Sequence, residues 1–140
     1  MYPQGTDILV VVHEPQRRER IVRLLAGEGF AVSEAAEGLA ALRASAGHRF
    51  ALIIAATDLP GSLDGAAVVR RMRQRQPWLK VLYTGEPVAR SVLGHSTGDD
   101  FIAAPFERHE LIGCTFELLQ RDTAGTIDLS RRARTELRAS

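Results

Sequence analysis

Short apolar runs alternate along the chain with stretches whose apolar residues recur at helical spacing. The runs are rich in β-branched residues and predict strands at 7–12, 30–34, 50–55, 79–84 and 101–103. A first helix is predicted to open after Glu14 and Pro15 and to end by Gly29. Further helices are predicted at 37–46, with Leu39 and Leu42 facing inward, and at 65–76, 88–95 and 107–119.

Strands that alternate with helices in this way predict a doubly wound α/β fold, in which a parallel sheet carries helices on both faces. The run at 50–55 is apolar at successive positions, as expected for a central strand that is covered on both sides. In such folds the functional groups gather at the carboxyl edge of the sheet. We therefore search for chemistry in the loops that follow the strands.

Length and composition indicate one globular domain, with 140 residues of which 45% are hydrophobic and 25% are charged. We expect that domain to cover residues 1–121 and residues 122–140 to form a tail that could contain a short basic helix. No apolar run approaches the roughly 20 residues that a membrane span needs. The first six residues lack the pattern of a secretory signal, so the cytoplasm is the expected location.

The formal net charge is only +1, which argues against a protein that holds nucleic acid through many phosphate contacts. Positive charge is nevertheless clustered in the first predicted helix, in the helix at 65–76 and in the tail. The clusters are Arg17, Arg18, Arg20 and Arg23; Arg70, Arg71, Arg73 and Arg75; and Arg131, Arg132, Arg134 and Arg138. Such clusters are either solvated helix faces or docking sites for a partner.

Several short motifs occur together in a fixed order: ILVV followed by EP at 8–15, FALIIA at 50–55, LPGSLDG at 59–65, VLYTG at 81–85 and DDFIAAPFERHEL at 99–111. In this order they resemble the receiver domains of bacterial two-component signalling, and the LPGSLDG and VLYTG forms are similar to receivers associated with hybrid histidine kinases. The resemblance covers residues 7 to about 121. It implies a flavodoxin-like sheet of five strands with the order 2-1-3-4-5.

The family's chemistry uses two carboxylates that hold Mg²⁺, an aspartate that accepts the phosphoryl group, a hydroxyl side chain and a lysine. The resemblance assigns the carboxylate positions to Val12 and His13 and the acceptor position to Ala56. It assigns the hydroxyl position to Thr84, and the lysine position, which precedes the proline of the last loop, to Ala104. The set thus keeps the hydroxyl and lacks the carboxylates, the nucleophile and the cation.

Two further positions follow from the resemblance. Phe101 occupies the site of the aromatic residue that moves on activation in the family, and Pro105 follows a peptide bond that is cis in the family. Without phosphate, Thr84 and Phe101 are expected to be ordinary structural residues.

The expected function is therefore a phosphorylation-independent signalling module that binds a histidine kinase or another two-component protein, with a homodimer as a further possibility. We expect no enzyme activity, cofactor or metal, because the sequence holds no glycine-rich phosphate loop, nucleophile elbow or metal-binding histidine pair. A relocated phosphoacceptor is the alternative, and its candidates are Asp58, Asp64 and His13. Turn and helix-capping roles compete with that alternative for the two aspartates.

Overall fold

Five parallel strands form the central sheet of the computed structural model, which describes residues 7–87 and 99–120. In chain order the elements are β1 (Asp7–Val11), α1 (Pro15–Gly27), β2 (Ala31–Ala35), α2 (Gly38–Ser45), β3 (Leu52–Ala56), α3 (Gly65–Arg75), β4 (Lys80–Gly85), β5 (Asp99–Ala103) and α4 (Arg108–Gln120). The predicted helix at 88–95 and the predicted tail at 122–140 lie outside the described residues.

The strands are arranged in the order β2-β1-β3-β4-β5, and every neighbouring pair is parallel. This arrangement confirms the doubly wound α/β prediction and its strand order. All five residues of β3 are buried, and Ile8 to Val11 of β1 are completely so. The central strands are apolar at successive positions because helices cover both of their faces.

Local sequence signals set the helix starts. Pro15 occupies the first turn of α1, where its missing N–H costs no helical hydrogen bond, and the Glu14 side chain accepts from the Arg17 N–H at 2.7 Å. The Asp64 side chain caps α3 in the same way, accepting from the Ala67 N–H at 2.9 Å. Each cap satisfies a first-turn backbone N–H that has no partner within its helix.

The prediction that Leu39 faces inward is wrong. Leu39 of α2 is 49% exposed, whereas Gly38 and Ala41 occupy the buried positions of that helix. The reason is a close approach, since a Cβ at Gly38 would lie 2.7 Å from Leu63 Cβ and 2.8 Å from Val68 Cγ2. Helix α2 therefore turns its small residues towards the core, and Leu42 is only half-buried. The inward positions predicted in α3, namely Val68, Val69 and Met72, are buried as expected.

No helix within residues 7–87 and 99–120 combines the length and the apolar character needed to cross a membrane.

Candidate functional site

The ends of β1, β3, β4 and β5 open into one cleft at the carboxyl edge of the sheet. The cleft has a volume of about 410 Å³ and is lined by Val12, His13, Glu14, Arg17, Ala56, Thr57, Asp58, Thr84, Gly85, Glu86 and Ala104. The five positions that the sequence assigned to the phosphorylation pocket, Val12, His13, Ala56, Thr84 and Ala104, are therefore brought together.

Small or apolar side chains form the floor of the cleft. Val12 is 1% exposed and Ala56 is 8% exposed. Ala56, the last residue of β3, pairs in register with Thr84 of β4. An alanine methyl at this strand end offers neither a nucleophile nor a metal ligand to a molecule in the cleft.

The hydroxyl of Thr84 is an unusual feature of the floor. The residue is fully buried, and its Oγ1 has no hydrogen-bond partner within the described part of the chain. A buried hydroxyl without a partner costs about 1–3 kcal/mol relative to one that remains solvated. The neighbouring backbone is well satisfied, since the Thr57 N–H donates to the Thr84 carbonyl at 2.9 Å.

The carboxylates of the cleft lie on its rim. Glu14, Asp58 and Glu86 are exposed, and Glu14 is already engaged in capping α1. Asp64 is not part of the lining, because its side chain caps α3. Of the two candidate aspartates, the structure therefore brings only Asp58 to the cleft.

His13 lies at the mouth of the cleft and is exposed, with its Nδ1 at 3.3 Å from the Ala36 carbonyl oxygen. The chain beneath it is held by Arg18, whose Nη1 donates to the Val12 and His13 carbonyls at 2.9 and 3.1 Å. The Arg18 Nε also donates to Glu34 Oε1 at 2.9 Å. Arg18 belongs to one of the arginine clusters predicted from the sequence, but no local sequence pattern indicates that it holds the end of β1.

The loop after β5 completes the cleft. Ala104 is partly buried in its wall, and the Ala104–Pro105 peptide bond is cis, the isomer that the family resemblance implies. Arg20 of α1 reaches this loop, because its Nη1 donates to the Phe106 carbonyl at 3.1 Å and its guanidinium lies 5.3 Å from the Phe106 ring centre. Phe101 is 6% exposed and belongs to the core instead of the cleft lining.

One titratable group close to the cleft is strongly perturbed. Burial of Tyr83, the residue before Thr84, together with the nearby Asp99 carboxylate, raises the pKa of the tyrosine hydroxyl to about 12. Asp99 is itself paired with Arg73, whose Nη2 lies 2.6 Å from Asp99 Oδ1. Tyr83 is therefore neutral at ordinary pH and supplies no charge to the site.

The resemblance implies that the cleft holds Mg²⁺, a hard cation that takes oxygen ligands. Mg²⁺ requires near-octahedral oxygen coordination, usually anchored by one or two carboxylates. Within residues 7–87 and 99–120, no group of three or more histidine, cysteine, aspartate or glutamate side chains is arranged to hold a metal. The positions nearest the floor, Val12 and Ala56, contribute no oxygen from their side chains. The cleft does not fit this cation.

The family model and the curated relatives that match this chain both indicate a response regulator. The family described as the response regulator receiver domain matches residues 8–114. The transcriptional regulatory protein TcrA of Mycobacterium tuberculosis is 34% identical over 110 residues, which cover 76% of this chain and 43% of TcrA. The chain spans about half the length of the curated relatives it matches.

Two solved structures show the same fold. The receiver domain of the hybrid histidine kinase CckA is 28% identical, with a TM-score of 0.71 over 81% of this chain and 99% of that one. The response regulator TrrA of Thermotoga maritima, solved in complex with Mg²⁺ and BeF, is 27% identical, with a TM-score of 0.73 over 81% of this chain and 98% of TrrA.

Proposed function

Because the chain belongs to the response regulator receiver domain family of two-component signalling, we propose that it is a phosphorylation-independent member that acts by binding a protein partner. The partner class is a histidine kinase or another two-component protein, and the expected compartment is the cytoplasm. Receiver domains are signalling modules and generally not enzymes, and the proposal includes no catalytic activity.

The observation that carries the proposal is the residue at the end of β3. Ala56 lies on the cleft floor, in register with Thr84, at the position that the family resemblance assigns to the phosphoaccepting aspartate. A methyl group cannot attack a phosphoryl donor. Val12 and Ala104 line the same cleft, so the missing carboxylate and the missing cation add to the effect of the missing nucleophile.

The state of Thr84 supports the same proposal. In an active receiver this hydroxyl is drawn towards the bound phosphoryl group, whereas here it is buried and has no hydrogen-bond partner among residues 7–87 and 99–120. We propose that Thr84 and Phe101 serve packing in this chain, as parts of an architecture that is kept after its chemistry is lost.

The direct test is incubation with acetyl phosphate and Mg²⁺, followed by intact-mass measurement. The unmodified chain is expected to gain no phosphoryl group. The variant Ala56→Asp is expected to remain far less reactive than a fourfold variant that also carries Val12→Asp, His13→Asp and Ala104→Lys. If that fourfold variant folds and gains the phosphoryl group, the assay is shown to detect a competent pocket on this scaffold.

A relocated acceptor is the outcome that would contradict the proposal. A stable adduct on the unmodified chain, mapped by peptide sequencing to Asp58, Asp64 or His13, would identify it. The three sites differ in position, since Asp58 and His13 face the cleft whereas Asp64 caps α3. Asp58→Asn and His13→Gln would then separate the two cleft candidates.

Self-association is a second part of the proposal, through mixed charges on β5 and α4 or through the tail. The charged residues proposed for this face are Arg90, Asp99, Asp100, Glu107, Arg108 and Glu110, of which Arg90 lies outside the described residues. Within the chain, Asp99 pairs with Arg73, and Arg108 pairs with Glu28 at 3.2 Å. Two of these charged side chains are therefore paired within the chain. Light scattering that finds only monomer at tens of micromolar would contradict the homodimer. Nucleic acid is not proposed as a partner.

A further inference from the structure

Helices α2 and α3 lie side by side and carry positive charge only. Their sequences, GLAALRAS and GAAVVRRMRQR, contain five arginines and no acidic residue. The carboxylates closest in sequence, Glu37 and Asp64, precede the helices at their amino-terminal caps. On a chain with a net charge of +1, the surface made by these two helices is a local concentration of positive charge.

A groove runs between the two helices at their carboxyl-terminal halves. Its volume is about 260 Å³, and it is lined by Leu42, Ser45, Arg71, Met72, Gln74, Arg75 and Gln76. The buried Met72 and the half-buried Leu42 give it apolar walls, whereas Arg71 and Arg75 are exposed at its rim. The groove thus places two apolar side chains among polar lining residues and a cationic edge.

Within residues 7–87 and 99–120, the exposed arginines of this surface are not neutralised by salt bridges. No described carboxylate forms a salt bridge with Arg43, Arg71 or Arg75. Arg73, by contrast, is turned inward to the Leu79 carbonyl and to Asp99. The exposed rim arginines are therefore available to an external anion.

Leu39 adds an apolar contact point to the same surface. It is 49% exposed and lies three residues before Leu42 and four before Arg43, so the three share one side of α2. We name the surface formed by Leu39, Leu42, Arg43, Arg71, Gln74 and Arg75 the α2–α3 face. Arginine is among the residues that contribute most to protein–protein binding, and the exposed Leu39 adds apolar contact area beside the arginines of this face.

We propose that the α2–α3 face docks an acidic amphipathic helix of a partner protein, an inference that rests on the proposed binding function. Apolar side chains of that helix enter the groove, and its carboxylates pair with the rim arginines. The spacing supports a helix, because Arg71 and Arg75 are one helical turn apart and match carboxylates placed four residues apart on an opposing helix. Arginine on carboxylate can form two parallel hydrogen bonds, which fixes the orientation of the pair.

Nucleic acid is the competing occupant of a cationic surface. Phosphate contacts make no use of an exposed leucine or of the apolar side chains of Leu42 and Met72 in the groove. The face also presents no aromatic side chain on which bases could stack. The combination of Leu39 with the groove therefore favours an acidic helix.

The test is an NMR titration of the full chain with a synthetic peptide of about 20 residues, long enough to hold helical structure. The peptide carries leucine on one helical face and glutamate elsewhere. Amide shifts are expected at Leu39, Leu42, Arg71 and Arg75. A peptide of the same composition with the leucines scrambled, and one with lysine in place of glutamate, are expected to bind at least about tenfold more weakly.

Variants of the chain provide the matched control. Arg75→Glu reverses one exposed charge on the face and is expected to weaken binding about tenfold, whereas Arg23→Glu reverses one exposed charge on α1 and is expected to change it less than about twofold. Leu39→Gln is expected to weaken binding without affecting folding, because the side chain is already half exposed.

Three outcomes would overturn the inference: shifts that map elsewhere, equal binding of the scrambled peptide, or tighter binding of a DNA duplex to the same residues. None of these would affect the acetyl phosphate result, on which the proposed function depends. Conversely, phosphorylation by acetyl phosphate with Mg²⁺ would contradict the proposed function while the peptide could still bind the face.

Discussion

Replacing Thr84 with valine tests the role of the cleft floor. The side chain is fully buried, and its Oγ1 has no hydrogen-bond partner among the described residues. Valine has nearly the same shape and keeps the β-branch that suits a strand. The substitution removes a desolvated hydroxyl and breaks no side-chain hydrogen bond to the part of the chain that the structure describes.

The magnitude follows from the cost of burying that hydroxyl. An unpartnered buried polar group costs about 1–3 kcal/mol, and we take the lower end because the cleft beside Thr84 is open to water. Thr84→Val should therefore raise the free energy of unfolding by about 1 kcal/mol, equivalent to a rise in Tm of about 4 °C for a domain of this size.

The assay is urea denaturation followed by far-ultraviolet circular dichroism, with Thr57→Val as the control. Thr57 lines the same cleft but is only half-buried, so its valine variant should stay within about 0.5 kcal/mol of the unmodified chain. A loss of stability in Thr84→Val that exceeds the loss in the control would show that the hydroxyl has a stabilising partner, and the reasoning would be refuted.

Three further predictions concern neighbouring positions. Gly65→Ala should lower the free energy of unfolding by about 3 kcal/mol, because a Cβ at this position would collide with the Ala56 backbone carbonyl. Gly113→Ala should raise the free energy of unfolding by up to about 1 kcal/mol, because a Cβ there would have no atom within 4 Å. Equal effects of the two substitutions in urea denaturation would contradict this prediction. Asp64→Ala should lower the free energy of unfolding by about 1 kcal/mol, because the substitution removes the side chain that caps α3. Asp58→Ala should lower it by less than about 0.5 kcal/mol, because Asp58 is exposed. The reverse order in urea denaturation would be inconsistent with the structure. The pKa of Tyr83 is raised from 10.0 to about 12, so the folded chain keeps this proton to higher pH than the unfolded chain. Stability should therefore fall as pH rises from about 10 to about 12, and Tyr83→Phe should remove that part of the loss in urea midpoints measured against pH.

The fold was largely predictable because the order of apolar and polar residues in the sequence matches the order of buried and exposed positions in the structure. The run LIIAA of β3 is buried at every position, as expected for a central parallel strand. The predicted strands and helices within the described residues differ from the observed ones by one or two residues at most ends, which is the scale on which helix and strand ends are defined. The exception at Leu39 depends on a tertiary contact, the close approach of Gly38 to Leu63, which no local pattern reveals.

The site was predictable in its location and only partly in its interactions. Parallel strands bring their carboxyl ends to one edge, so Val12, Ala56 and Thr84 had to meet there. The cap formed by Asp64 was predictable because an aspartate preceded the helical pattern. The hydrogen bonds from Arg18 to the Val12 carbonyl and to Glu34 were not predictable, because they depend on the direction of a long side chain relative to a strand that is distant in sequence.

The central claim is that the cleft has lost its phosphoryl chemistry. The most direct measurement is an NMR titration of the unmodified chain with Mg²⁺ and beryllofluoride, a phosphoryl mimic, with the amides of Thr57, Thr84 and Gly85 as reporters around the cleft. Neither the metal alone nor the pair should produce saturable shifts at these amides. Saturable shifts there that require both Mg²⁺ and beryllofluoride would show a competent phosphoacceptor site and would contradict the account.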